Sequence, residues 1–461
     1  MKLTKKIMVG VVGFALALSG CGMNGGAKDS SSAASADDPM KVVEGIGAVT
    51  DDQLKGQSIT LARFFGDCDD TTMGVTDISK ATNECEAIQI LTNQFVDENK
   101  WGIKVERLGG ATWHSFYDGL NAALASADRP DVTVMHGSNL PDYASRGALL
   151  ELNDKIGVDL KDATDAAADA VKFGGKNYAV PFDIHATVAH LNMDILKEAG
   201  LTKPDGTYEM PTTPEKFLAD AEQVKAKTGK NFIDIALSND PMGSRLWMAL
   251  VWQQGEDFID AYSKSANATS ESAKVALSFI NELVNKGYTT PTHDYDASQQ
   301  AFLRGDSAMM YNGVWAVDQY SKEAPFKYQV ADAPMLFSKA ATWANSHTWA
   351  IPVQAKANPV KYRAAVEFVK FLYEHTGEWA VATGHMASAK TALLSEEYKN
   401  APHREEYLKT AMEYAHMQPR LVEWPAISAE IQQHVESTWL NKTPVDTALE
   451  NMQKAIENSL K

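Results

Sequence analysis

The chain has 461 residues, 44% hydrophobic and 22% charged, with a formal net charge of −17. That is enough apolar sequence for one or two substantial cores. The acid excess excludes nucleic acid and anionic lipid surfaces as partners, because both are recognised through basic patches.

The first predicted element is an export signal. Lys2, Lys5 and Lys6 form a positive start, Ile7 to Leu18 is apolar, and Leu18-Ser19-Gly20-Cys21 places small residues before a thiol. The apolar run is too short to cross a bilayer core of about 30 Å as a helix, so cleavage before Cys21 and acylation of its thiol are expected. Losing the three lysines, with no acid before Cys21, takes the mature chain from −17 to −20. Residues 21–55, rich in Gly, Ser, Ala and Asp, read as a flexible tether after a 1–20 signal peptide.

From Gln57 onward short strand-like runs alternate with amphipathic helices, the pattern of an α/β protein. Ile59 to Phe65 is a first strand, followed by the helical face Ile88, Leu91 and Phe95. The stripe Phe116, Leu120, Leu124 and Ala127 then stops at Pro130, before the strand Asp131 to Met135. Further strands are expected at Ile233 to Leu237, Ala308 to Tyr311 and Thr348 to Val353. Helices are expected around Ala276 to Leu283 and over Tyr362 to Tyr373, and Val445, Leu449, Met452, Ile456 and Leu460 mark a final amphipathic helix. No internal repeat is seen, and the length exceeds what one sheet usually takes, so two lobes are expected.

Besides Cys21 the only thiols are Cys68 and Cys85. In an exported protein two thiols most simply pair, closing a loop of about 17 residues and contributing on the order of 3 kcal/mol. The neighbours Asp67, Asp69, Asp70 and Glu84 are hard oxygen ligands and no histidine lies between the thiols, which leaves a thiolate metal site short of partners.

Several segments together resemble the family 1 extracellular solute-binding proteins, the sugar-capturing components of ABC importers. They include Arg129-Pro130-Asp131-Val132, Tyr143 to Leu149, and Gly175-Lys176-Asn177-Tyr178-Ala179-Val180-Pro181. His190 to Asp194, Lys197 to Leu201 and Pro211 to Glu215 follow, and Ala301 to Trp315 resembles the family's most recognisable stretch. The chain departs from the family in having His190-Leu191-Asn192 where Tyr-Asn is frequent, Gly313-Val314-Trp315 for Gly-Pro-Trp, and a cysteine-bearing loop after the first strand.

The resemblance implies a two-lobed, periplasmic-binding-protein-like α/β fold of type II, with discontinuous lobes joined by a hinge. Lobe 1 would comprise 56–181 plus 335–385, and lobe 2 would comprise 182–334 plus 386–461. Crossings would fall near Val180 to Ile184, Gln329 to Met335 and Thr383 to Lys390. The implied partners are a small carbohydrate, the transmembrane subunits of an ABC permease, and the membrane through Cys21, with the protein a monomer.

Sugar recognition needs aromatic rings for C–H faces, and amides, carboxylates and histidines for hydroxyls. Trp113, Trp252, Trp315 and Trp343 stand at predicted loops beside polar groups and are ligand-binding candidates, with Trp247 and Trp424 in similar settings. Asp67 follows the first strand and His136 and Asn139 follow the second, positions where α/β sheets bind ligands. Asp183 could accept two hydroxyls, and His185 could donate as a neutral imidazole. Asn312 lies on the recognised segment and His347 matches a cleft-facing position; His385 belongs to the third crossing.

Eleven histidines are present, but none pair at i,i+4 and no tract occurs, so neither a dedicated metal site nor a cofactor is expected. No nucleotide loop, dinucleotide fingerprint or Gly-x-Ser-x-Gly turn is present. The reading is a binding protein, not an enzyme. Its alternatives are a secreted glycoside hydrolase, which would need a carboxylate pair across the scissile bond, and a binder of a non-sugar polar solute.

Overall fold

The computed structural model describes residues 39–109, 112–153 and 158–461, and in these the strands form two main sheets and two short two-stranded ones. The first sheet runs Lys104–Leu108, Ser58–Ala62, Val132–His136, His347–Ala350, Ala179–Pro181. Its first three strands are parallel, as helical crossovers require. The crossover helices are Glu84–Glu98, capped by Asn83, and Trp113–Ala125. Ile88, Leu91 and Phe95 are buried against this sheet, as their spacing predicts. Val132, Thr133, Val134 and Met135 are all buried because the strand is central, covered on both faces.

The second, larger sheet is organised by the ten-residue strand Asp183–Asn192, buried at every position. Ser307–Gly313, Tyr328–Asp332, Thr342–Asn345 and Met386–Ala387 all pair with it antiparallel, and Asn231–Asp234 and Ala415–Met417 extend the sheet. Its core includes Trp247, Phe279, Trp439 and the terminal helix Val445–Ser459, whose Leu449, Met452 and Ile456 are buried.

The chain passes between sheets at Phe182 and again at Ser346. These points are stitched together: Phe182 N donates to His347 O at 2.8 Å, and Gly137 N donates to Ser346 O at 2.8 Å. A third passage occurs at Gly384, whose φ of +86° and close approach to Val314 O leave no room for a Cβ.

Three expectations change. Residues from Pro39 onward are not tether: Pro39–Gly47 is a helix that packs Val42 and Ile46 against the first core, Val49 packs there just beyond it, and Leu54 is buried after it. An apolar stripe hidden in a Gly-rich composition orders the segment; Cys21 and the signal lie outside the described residues. The passage expected at Gln329 to Met335 falls at Ser346, because Tyr328–Asp332 and Thr342–Asn345 both still pair with Asp183–Asn192. Trp247 and Trp252 sit not in a loop but on the helix Met242–Gln253, which is apolar nearly all round and so lacks an amphipathic signature.

Cys68 and Cys85 form a disulfide. It ties the loop after the first strand to the start of the helix Glu84–Glu98, over the buried Arg63, whose Nη1 lies 3.5 Å from Cys85 Sγ. Replacing both cysteines by alanine is expected to lower the unfolding free energy by about 3 kcal/mol, the loop-closure contribution. Urea unfolding with and without reductant measures it: the wild type should lose this increment on reduction and the double variant should not respond.

Candidate ligand-binding cleft

A cleft of about 490 Å³ opens between the two sheets. Phe64 and Phe65 reach it just beyond the strand Ser58–Ala62, and His136, Ser138 and Asn139 from the end of Val132–His136. The other wall comes from one face each of two helices. Pro241, Ser244, Arg245 and Met248 recur at i, i+3, i+4 and i+7, and Trp424, Pro425, Ser428 and Gln432 lie on the helix Trp424–Leu440.

Three of the cleft indoles, Trp315, Trp343 and Trp424, are held by identifiable contacts. Trp315 Nε1 donates to Tyr295 Oη at 2.7 Å, and Asn312 Nδ2 donates to the same oxygen at 3.3 Å. The Trp315 ring folds back over Gly313, where any Cβ would fall within about 2.2 Å of it. Trp343 lies under the Arg245 guanidinium, 3.9 Å from the ring centroid, a cation–π contact. Trp424 Nε1 donates to Gln418 Oε1 at 2.8 Å.

Beneath the cleft floor lies a fully buried carboxylate, Asp183. Its Oδ1 accepts from His347 N at 3.0 Å and His185 Nδ1 at 3.1 Å. Its Oδ2 accepts from His347 Nδ1 at 2.8 Å and Trp379 Nε1 at 2.9 Å. Burial alone would raise the Asp183 carboxyl, but the charges of His347 and His385 and these hydrogen bonds hold it well below the usual range. Burial likewise opposes the His347 imidazolium, yet Asp183 and Glu84 outweigh it and move His347 upward. His185 is pushed down to about 4 by burial and by His347, so it is neutral near pH 7. Burial pushes Glu84 up to about 7 against the pull of His347, although a third of its side chain is exposed.

The candidate residues divide. Trp113, His136, Asn139, His185, Trp315, Trp343 and His347 line the cleft. Four do not. Asp67 is exposed and paired with Arg107 Nη2 at 2.9 Å, because the disulfide loop turns it outward. Trp252 is 4% exposed and stacks on His416 at 4.0 Å, away from the cleft. Asn312 is fully buried and acts through Tyr295. Asp183 offers no direct contact to a ligand, because both oxygens are taken by protein donors beneath the floor. The scattered histidines also gather: His185, His347 and His385 surround Asp183.

Glu84, Arg245 and Tyr295 line the cleft without having been singled out. Glu84 reads as a helix start, and Tyr295 as the first residue of the helix Tyr295–Leu303. Arg245 did leave a signal, as the one charged residue in the apolar run Met242 to Trp252.

Residues 91–406 match the family described as bacterial extracellular solute-binding protein. The chain belongs to that family. Among its relatives is the maltotriose-binding protein of Pyrococcus abyssi, 22% identical over 347 residues, covering 74% of this chain and 72% of the relative. The maltooligosaccharide ABC transporter solute-binding lipoprotein of Streptococcus pneumoniae is 24% identical over 345 residues, 66% of this chain and 73% of the other. The GacH receptor of Streptomyces glaucescens, solved unliganded and with acarbose, superposes with a TM-score of 0.74 at 21% identity, covering 88% of this chain and 98% of that one. That likeness is one of fold, and the two-lobed α/β architecture of type II is the expected one. The family consists of solute-binding proteins rather than enzymes. Among the described residues no helix is long and apolar enough to cross a membrane.

Two outcomes follow for this solute-binding protein. Asp183→Ala, which leaves the buried donors of His347, His185 and Trp379 without their acceptor, should lower stability by about 3–5 kcal/mol in urea unfolding. A loss below about 1 kcal/mol would mean the network carries little energy. Gly313→Ala should drive the Trp315 ring off Tyr295, seen as a red-shifted tryptophan emission that the Trp315→Phe background does not show.

Proposed function

We propose that this protein captures an oligosaccharide in the cleft between its lobes and delivers it to an ABC permease while held at the membrane through an acylated Cys21. The observation that carries the reading is the convergence of Trp113, Trp315, Trp343 and Trp424 with His185, His347, Asn139 and Gln432 around one opening. Indole faces match the apolar faces of pyranose rings, and the polar groups match hydroxyls. Relatives named for maltotriose and maltooligosaccharides support an α-glucan fragment as cargo. The lipobox at Leu18 to Cys21 supports the anchor, and a relative named as a lipoprotein of an ABC transporter supports the permease partnership. Capture needs no chemistry and no second copy of the chain. Closure would turn on Phe182, Ser346 and Gly384, where few backbone torsions separate the lobes.

Arg245 favours a second reading. A guanidinium beside the cleft aromatics suits a solute bearing a carboxylate or phosphate.

Titration of the purified protein with neutral maltooligosaccharides, other oligosaccharides and uronate-bearing analogues, followed by tryptophan emission, separates the two. We expect saturable binding of a neutral oligosaccharide without released product on long incubation. Trp315→Ala and Trp113→Ala should each weaken it at least tenfold, roughly 1.4 kcal/mol or more. Binding only of acidic analogues would favour the second reading, and multiple turnover would overturn both.

A further inference from the structure

His385 is fully buried, and one nitrogen of its ring has no hydrogen-bond partner. Thr383 Oγ1 donates to Trp379 O at 2.7 Å, so it accepts at 2.9 Å from His385 Nδ1. The proton of the neutral ring is therefore on Nδ1, and Nε2 carries a lone pair. That Nε2 has no hydrogen-bond partner. It faces carboxylate oxygens instead, Glu84 Oε1 at 3.2 Å and Asp183 Oδ2 at 3.8 Å. A lone pair directed at two carboxylate oxygens in a buried site is repulsive unless a proton or a metal ion lies between them.

We infer that His185, His347, His385 and Asp183 form a binding site for one divalent transition-metal ion of the zinc class at the floor of the cleft. One ligand atom from each lies within 4.8 Å of every other. Metal–ligand bonds of about 2.0–2.2 Å place tetrahedral ligand atoms roughly 3.3 Å apart. The separations of 2.8 and 3.8 Å from Asp183 Oδ2 to His347 Nδ1 and His385 Nε2, and of 3.1 Å from Asp183 Oδ1 to His185 Nδ1, bracket that value. Three imidazoles and a carboxylate suit zinc and its neighbours rather than calcium or magnesium, which prefer oxygen. Two carboxylates, Asp183 and Glu84, match the charge of a divalent ion.

A lone proton shared by His385 and Glu84 would relieve only the 3.2 Å contact. It would not require His185, two residues along the same strand, and His347, from the other sheet, to converge on the same carboxylate. The ion would take the place of the two protons that these rings now direct at Asp183. Because both rings line the cleft, occupancy would also alter the hydrogen-bonding groups they offer a ligand.

The purified protein, assayed for metal by mass spectrometry, is then stripped with chelator and titrated with Zn²⁺ and with Co²⁺ as a visible probe. We expect one ion per chain and the d–d absorption of a low-symmetry nitrogen and oxygen site. His385→Gln and His185→Gln should each weaken affinity at least tenfold with native circular dichroism, and His434→Gln, on the helix Trp424–Leu440 and outside the cluster, should not. Should His385→Gln fail to fold, His185→Gln, at the cleft surface, carries the comparison. No uptake by folded wild type at tens of micromolar ion, or uptake that survives both substitutions, overturns the site. Metal stoichiometry is read without sugar, so its failure and that of the transport reading are separately visible.

Discussion

The buried carboxylate of Asp183 is the constraint on which the cleft depends. It is the first residue of the central strand of the larger sheet, and it follows the passage at Phe182. It reaches across to His347, which opens the return strand of the smaller sheet, and to Trp379, on the helix before the third passage. One ionised group therefore ties together all three places where the chain changes lobe. A carboxylate this deep is tolerated only because four donors satisfy it. Three of those donors belong to two cleft histidines, His185 and His347, so the group that anchors the passages also sets the orientation of the binding floor. Stability and recognition share atoms here.

The aromatic wall shows the same economy of placement. Trp315 is fixed by Tyr295, which Asn312 holds in turn, and the ring's seat is the bare backbone of Gly313. Trp343 is braced by Arg245 from a helix on the facing wall. A ring held before the ligand arrives loses little rotamer freedom on binding, which lowers the entropic cost of association. The disulfide extends this logic to the first lobe: by fixing the start of the helix Glu84–Glu98, it fixes Glu84 at the cleft edge.

What the sequence made legible was local. Period-3.6 stripes such as Ile88, Leu91, Phe95 and Leu449, Met452, Ile456 predict helices that form, and Asp131 to Met135 predicts a strand that forms one residue later. Uniformly buried elements defeat that reading, because a helix that is apolar all round has no stripe, and so Trp247 and Trp252 look like loop aromatics. A ten-residue strand punctuated by Asp183, His185, Thr187 and His190 looks too polar to be central, yet each of these side chains finds a buried partner. Strand-end position brings His136 and Asn139 to the cleft but not Asp67, whose loop is turned away by a covalent bond and an ion pair with Arg107. Convergence of His185, His347 and His385 is a property of strand register, with Met386 opposite Ile184 and His347 fixed by its own pairing with His136, and no spacing rule along one strand encodes it.

Net charge was legible but describes the outside of the molecule. The chain carries −17, yet among the described residues that line the cleft the acids are Glu84 and Asp240, against Arg245 and three imidazoles. Glu84 is itself held partly protonated near neutrality by burial, and His347 is biased toward its cation. Interior potential is set by these few groups in a low-dielectric cleft, where each counts for far more than a solvated surface carboxylate. The acidic exterior therefore argues against polyanions as partners of the surface, while the cargo is selected by a site of nearly balanced charge. Neutral, hydroxyl-rich molecules meet no electrostatic penalty there, and the aromatic faces supply the remaining attraction.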